Sequence, residues 1–404
     1  MTEDVDIAVV GAGIGGLTLG LALRQHRIDV QVFERAGELA EVGAAVALAA
    51  NGSRVLLRLG LGSGLASVSL VPSELIYRHW ADARRIYAHP VGEWYRERFG
   101  APFWGVHRAR LQRVLSQAFG PSEVHLGHEL TGLRQQRGAM ELTFADGSRV
   151  RARTVVGADG VHSRVRSWVC DTVPGYSGTS GFRGLVPREA LVHLPDPDAV
   201  QFWMGPGAHL LHYPVGDSVN FLAVVDGPAH WPWPTGTTAA EPDELLKRFA
   251  AWHPAVTEMI SSVPQSPRWA LSSLAPLSHW VRGPVVLIGD AAHAMLPHHG
   301  QGANQTLEDA AVLADCLAAA APGERAAALA RFERLRRTRT RQVQRSSWVA
   351  SALLHTPDGP AADERDTALR TVVERISWIH EYNCHQVVTT LGARSAGGHD
   401  RETS

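Results

Sequence analysis

The chain has 404 residues, 45% of them hydrophobic, and a formal net charge of -1 at pH 7. That length and apolar content can build two domains or one large one around a sizeable core, and the neutral charge excludes global attraction to nucleic acid or anionic lipid. Cys170, Cys316 and Cys384 are few, odd in number and far apart, which argues against a disulfide framework and fits a reducing cytoplasm.

In chain order, "MTEDVDIAVVGAG" lacks the basic start of a signal peptide, and its apolar run is too short to span a membrane. The expectation is a cytoplasmic protein without a membrane partner. Asp6 to Val10 predicts a buried strand, Ile14 to Gln25 a helix and Asp29 to Glu34 a second strand. Ala109 to Ala118 carries helical apolar spacing, and "MELTFADGSRVRARTVVGADG" predicts a hairpin turning at Asp146-Gly147. From about Tyr176 the texture changes: "VQFWMGPGAHLLHYPVGDSVNFLAVVDG" predicts an antiparallel meander, with helical stretches after it at Glu244 to Trp252 and Ala255 to Val263. At Gly283 the βα texture resumes, and beyond Thr306 the chain is mostly helical.

The expected fold class is therefore α/β, a Rossmann-type domain with an inserted, mainly antiparallel sheet domain and a helical C-terminal region. Expected boundaries are 1-175 for the first part of the Rossmann-type domain, with a short excursion near 72-104, then 176-275 for the sheet domain, 276-350 for the resumed first domain, and 351-404 for the C-terminal helices and tail.

"GAGIGG" supplies Gly11, Gly13, Ile14, Gly15 and Gly16 between the first strand and the first helix. Its glycines allow a tight turn, close approach of amides to a pyrophosphate, and packing of helix on strand. Glu34 ends the second strand, where an acid takes ribose hydroxyls and repels a 2′-phosphate. The nucleotide is thus NAD or the ADP half of FAD, and the motif does not choose. "LGLGSGL", at 59-65, follows a helix instead of a strand, so no second fingerprint marks a separate nicotinamide domain.

Two further motifs place an acid at a strand end: "VVGADGVHSRVR" with Asp159, and "VVLIGDAAHAMLPHHGQGAN" with Gly289 and Asp290. In this order with "GAGIGG" they resemble the three fingerprints of the group A flavin-dependent aromatic monooxygenases, the family with the p-hydroxybenzoate and salicylate hydroxylase fold. The resemblance covers almost the whole chain. It implies FAD as cofactor and NADH or NADPH as cosubstrate, with Glu34 at the adenosine ribose and Arg35 beside it. It also implies Asp290 at the ribityl and pyrophosphate end, Asp159 between FAD and nicotinamide, and Arg108 of "HRARLQRVL" on FAD. "EVGAAVALAANG" resembles the segment beneath the isoalloxazine, so Ala44, Ala45 and Val46 are expected at the ring, Pro297 beside its reactive edge, and Gly300, Gly302, Ala303 and Asn304 near N1 and the C2 carbonyl.

The chemistry so implied is reduction of FAD, capture of O2 as a flavin C4a-hydroperoxide, and oxygen transfer to an electron-rich ring. A base near the substrate phenol helps, and "GAHLLHYPV" offers His209, His212 and Tyr213. On a strand His209, Leu211 and Tyr213 share one face and His212 takes the other. The resemblance favours His209 and Tyr213, with His212 second; for each histidine a purely structural role stays open. Arg183 of "GFRGLVP" suits a substrate carboxylate, or equally an anchor for the sheet. The tryptophans of "FWM" and "HWPWP" are candidates for an aromatic wall, and the arginine-dense "RFERLRRTRTRQVQR" predicts a solvated helix with a few internal pairs.

Other readings share parts of this pattern: a flavin reductase or oxidase that inserts no oxygen, a plain NAD-dependent dehydrogenase, or a non-enzymatic flavin-fold protein. Among hydroxylases, salicylate-like acids come first, followed by other phenols, hydroxypyridines, and indole or polyketide intermediates. The expected partners are a small aromatic substrate and O2, with the chain a monomer or homodimer. His293, His298 and His299 lack a cysteine or carboxylate set at ligand spacing, so no metal is expected.

Overall fold

A computed structural model describes residues 3-39, 45-136, 138-233, 235-241, 243-263 and 266-388. The apolar run near the start forms the strand Glu3–Val10, which pairs in parallel with Val30–Phe33 on one side and Arg149–Gly157 on the other. Between the first two strands runs the helix Ile14–Gln25. Val285–Leu287 then joins Arg149–Gly157 in parallel, so the chain returns to its first sheet after an excursion of more than a hundred residues.

Two glycines make the first crossover possible. Gly11 sits at φ +107°, and a Cβ there would stand 2.5 Å from the Ala158 carbonyl oxygen; at Gly16 a Cβ would stand 1.8 Å from the carbonyl oxygen of Gly11. Only a residue without a side chain lets the helix start so close to the strand end.

The second sheet has eight strands, ordered Thr237–Thr238, Arg268–Ser273, Gly175–Pro187, Ser218–Asp226, Ala208–Val215, Val200–Gly205, Glu74–His79 and Arg85–Pro90. All neighbouring pairs are antiparallel except Val200–Gly205 with Glu74–His79. One face packs Phe182, Leu210 and Phe221 with Val256, Met259 and Ile260 of the helix Pro254–Ser261. The helix expected at 244-252 is only Glu244–Arg248, because the chain turns after it to bury Phe249 and Trp252 in that core.

The long helix Arg325–Leu354 leaves Arg334, Arg341 and Arg345 exposed, as expected, but corrects the solvated reading for two other arginines. Arg336 is fully buried and Arg339 nearly so. Both reach the helix Gly302–Ala318, where Arg336 pairs with Glu308 and, at 2.7 Å, with Asp309, and Arg339 holds Glu308 at 2.7 and 2.8 Å. Buried guanidinium and carboxylate groups are tolerated when fully paired. The density of arginines along the segment hid this, since the positions that turn inward recur at about 3.6-residue spacing, among them Phe332, Arg336, Arg339 and Val343. Among the described residues no helix is long and apolar enough to cross a membrane, and no cluster could hold a metal ion.

Candidate active site

One elongated cavity runs between the first sheet and the free face of the second. At one end it is lined by Gly13, Gly15, Gly160, Gly289 and Asp290; at the other by Arg183, Leu211, Tyr213, Asn220 and Leu222. Ala45, Val46, Arg108, Pro297, Gly300, Gly302 and Ala303 lie between them. Ala44 falls outside the described residues.

The first end is built by backbone. A Cβ on Gly13 would meet nothing within 4 Å, so the crossover loop borders open space where a pyrophosphate can approach. Glu34 is turned toward this loop and accepts the Ala12 N–H at 2.7 Å and the Ala36 N–H at 3.0 Å. Its neighbour Arg35 is exposed. Asp159 does not face the cavity: its carboxylate accepts the Arg164 and Val165 N–H groups at 2.7 and 3.1 Å and the Ser163 hydroxyl, holding its own turn.

In the middle, the helix Gly302–Ala318 begins at the cavity wall. Its first N–H groups have no carbonyl within the helix and carry the positive end of its dipole. Asn304 stands behind them, fully buried. Its amide accepts the Ala49 N–H at 2.9 Å and donates to the carbonyls of Ala47 and Gly300 at 3.0 and 2.8 Å. It therefore clamps the strand Ala45–Leu48 to the helix start instead of facing the cavity.

The far end comes from the second sheet. Arg183, Leu222 and Leu211 form one cross-strand row, and Tyr213 and Asn220 pair in the next. Burial and the nearby Arg108 depress the Arg183 pKa. Its guanidinium lies 5.7 Å from the Trp269 ring and has no carboxylate partner among the described residues. Burial raises the Tyr213 phenol, so it stays protonated at neutral pH, with Arg183 pulling the other way.

Neither candidate histidine is in the cavity wall. His212 is on the opposite face, beside Trp203, with neither ring nitrogen hydrogen-bonded among the described residues. His209 shares the face of Leu211 and Tyr213 but sits deeper, 1% exposed; its Nδ1 lies 2.8 Å from His355 Nε2, and its ring centre is 5.1 Å from that of His298. Sequence reasoning missed His355, which follows the long helix and whose Nδ1 is 2.6 Å from Asp226 Oδ1. No motif announces it.

The remaining histidines of the glycine-rich stretch are tied individually. His293 bonds Asp309 through Nε2, and His299 bonds the Ser346 hydroxyl at 2.9 Å. The tryptophans do not wall the cavity: Trp203 is core, and Trp231 and Trp233 pack on each other at 4.5 Å.

A glycine loop at a strand end, a helix start at mid-cavity and a sheet wall whose arginine has no carboxylate partner among the described residues are the features of a dinucleotide-binding protein with room for a small ligand. The comparisons sharpen this class. Residues 4–347 match the FAD binding domain family. The chain is 39% identical over 382 residues to 3-amino-4-hydroxybenzoate 2-monooxygenase of Streptomyces cremeus, covering 94% of this chain and 95% of that protein. It is 34% identical over 421 residues to salicylate hydroxylase of Pseudomonas putida, covering 97% and 96%. Klebsiella pneumoniae HpxO complexed with FAD and uric acid superposes with a TM-score of 0.80 at 27% identity, covering 95% of each chain. The chain belongs to the FAD-dependent aromatic monooxygenases.

Proposed function

We propose that the chain hydroxylates a small aromatic carboxylic acid bearing a ring hydroxyl, a salicylate-like acid or another hydroxybenzoate, with NADH or NADPH as reductant and O2 as oxygen source. The observation that carries this reading is Arg183, a cation in the wall of the cavity with no carboxylate partner among the described residues. A guanidinium there matches a carboxylate in shape and charge. Relatives named for 3-amino-4-hydroxybenzoate, salicylate and 3-hydroxybenzoate support the same substrate class.

In this reading residues 1-175 and 276-350 hold FAD, and 176-275 supply most of the substrate wall. Gly13, Ile14 and Gly15 face the pyrophosphate, Glu34 the adenosine ribose, Asp290 the ribityl chain, and Ala45, Val46, Arg108, Pro297, Gly300, Gly302 and Ala303 the ring system. Gly11, Gly16 and Asn304 act by shaping the loop and the helix start. When bound, FAD supplies electron transfer from the nicotinamide and the activation of oxygen.

The chain's own part is positioning and charge. Arg183 takes the carboxylate, Leu211 and Leu222 grip the ring and exclude water, and the protonated Tyr213 hydroxyl donates a hydrogen bond to a substrate oxygen. Arg183 and Arg108 together favour the phenolate form of the substrate, the better nucleophile. The three cysteines, all unpaired, fit a cytoplasmic enzyme. The test is a screen of hydroxybenzoates against matching phenols without a carboxylate, following stimulated NADH and NADPH oxidation and a mass gain of one oxygen. Stimulation by the phenols but not the acids sinks the reading.

A further inference from the structure

We propose that Asn220 determines substrate specificity: with Tyr213 it selects an aromatic acid carrying two neighbouring polar groups on the side of the ring away from the carboxylate. One is a hydroxyl that meets the Tyr213 phenol, the other an O–H or N–H that donates to the Asn220 amide. This rests on the hydroxybenzoate reading above and narrows it.

The sequence already makes Asn220 an exception. In the strand Ser218–Asp226 it is the one polar residue of the buried run 219-225, although asparagine is a poor strand former. Its neighbours on the cavity face do not account for it. Leu185 and Tyr213 stand opposite it on the two adjoining strands, and Leu222 follows it on the same face; neither leucine has a hydrogen bond to give. Asn220 is 3% exposed, and its Oδ1 has no hydrogen-bond partner among the described residues. Of the residues that line the cavity, it is the only one with a buried side-chain atom left so among the described residues. An amide oxygen buried without a partner is costly to the fold, and its place in the cavity wall points to a donor on the ligand.

The sheet register says where on the ligand that donor sits. The Tyr213–Asn220 pair is one row along from Arg183, Leu222 and Leu211, about 7 Å away at two residues per row. The Arg183 guanidinium leans the other way, toward Trp269, which pairs with Gly181. With the carboxylate on Arg183, an ortho hydroxyl bonds back to that carboxylate and stays in its row. Groups meta and para to the carboxylate reach the next row. There Tyr213 and Asn220 are directly opposed, with Cβ atoms about 5 Å apart, so two adjacent ring substituents meet one side chain each. The two are complementary in kind. Burial keeps the Tyr213 phenol protonated at neutral pH, so it donates, while the Asn220 oxygen accepts.

The experiment uses the FAD-loaded enzyme and takes dissociation constants from the flavin spectrum. The probes are salicylate, 4-hydroxybenzoate, 3,4-dihydroxybenzoate and 3-fluoro-4-hydroxybenzoate, whose fluorine cannot donate a hydrogen bond. The wild-type enzyme is expected to bind the dihydroxy acid about tenfold more tightly than 4-hydroxybenzoate or the fluoro acid, and to bind salicylate more weakly than 4-hydroxybenzoate. In Asn220→Leu the preference for the dihydroxy acid should fall below about twofold; Asn220→Asp, which keeps an acceptor of the same shape, should retain it. Equal binding of the fluoro and dihydroxy acids by wild type, an unchanged preference in Asn220→Leu, or salicylate bound more tightly than 4-hydroxybenzoate overturns the assignment. If none of the acids binds, the hydroxybenzoate reading fails on that result, and catechol against phenol decides the part of Asn220. A wild-type preference for catechol that Asn220→Leu loses upholds the acceptor, and equal binding of the two by wild type overturns it.

Discussion

The carboxylate of Asp309 accepts the backbone N–H of Gly289 at 2.9 Å, joining the middle of the helix Gly302–Ala318 to the turn that opens the cavity. The same oxygen meets His293 Nε2, and the other oxygen meets Arg336 Nε at 2.7 Å. Asp309, Glu308 and Arg336 are fully buried, so the helix that begins at the cavity wall is fastened from behind by charge.

Removing Asp309 leaves His293 without its carboxylate and the buried Arg336 with Glu308 as its remaining acid. Asp309→Ala is expected to cost about 3 to 5 kcal/mol of folding stability, visible as a shift of the urea midpoint. It should also reduce bound FAD, because the Gly289 turn loses its anchor. A variant with wild-type stability and full flavin content removes the anchoring role.

The crossover loop gives a prediction of a different kind. Gly16→Ala pushes a methyl group against the Gly11 carbonyl oxygen, 1.8 Å away in the present backbone. The loop must open, and the protein is expected to purify largely free of FAD even where circular dichroism shows a folded chain. Absorbance at the flavin bands relative to 280 nm measures this.

Substrate affinity should separate charge from shape. Arg183→Gln keeps most of the volume but loses the cation, and losing a charge-assisted pair of about 1.5 to 3 kcal/mol weakens binding of a hydroxybenzoate roughly 10- to 100-fold. The corresponding phenol without a carboxylate should lose little. Titrations of the flavin spectrum with both ligands check the contrast.

Much of this was legible in the sequence, and the reason is geometric. "GAGIGG" and Glu34 are local signals in which one strand, one turn and one helix specify each other, and the loop does join the first strand to the first helix with Glu34 at the end of the second strand. The meander was legible from glycine turns at fixed spacing. Face alternation along "GAHLLHYPV" correctly separated His212 from His209 and Tyr213, yet it did not say how deep along the strand the cavity reaches. That depth depends on Pro297 and His298, nearly ninety residues away in sequence. Asp159 and Asn304 fit cofactor motifs by type, but Asp159 bonds within its own turn and Asn304 bonds Ala47, Ala49 and Gly300, and neither lines the cavity. His355 and the Arg336–Asp309 pair were invisible because each is defined only by a long-range contact.

Stability should fall as the pH is lowered, and the sign follows from four histidines. Burial pulls His212, His298 and His380 down to about 3 and His299 to about 4 in the folded chain. Unfolded, each takes up a proton near pH 6.5. Between about pH 6.5 and 4 the unfolded state therefore binds more protons, and stability present above pH 6.5 is lost on acidification, by up to about 1.4 kcal/mol per pH unit for each histidine. Urea midpoints between pH 7.5 and 5 should drop accordingly; a flat profile contradicts the burial of these rings.

His212 isolates one of those contributions. It is fully buried on the sheet face away from the cavity, both ring nitrogens lack partners among the described residues, and the Arg78 guanidinium disfavours its charge. An unpaired buried polar group costs about 1 to 3 kcal/mol, and leucine removes that cost while filling most of the space. His212→Leu is thus expected to leave stability at pH 7 unchanged or raise it by as much as ~2 kcal/mol, within the range that relief of an unpaired group allows. It should also flatten the pH profile below 6.5 by the share of one histidine. Because Tyr213 and Leu211 face the cavity and His212 does not, hydroxylation by this variant should stay within about twofold of wild type, less than a 0.5 kcal/mol change in barrier. Loss of turnover with retained stability would return His212 to the catalytic candidates.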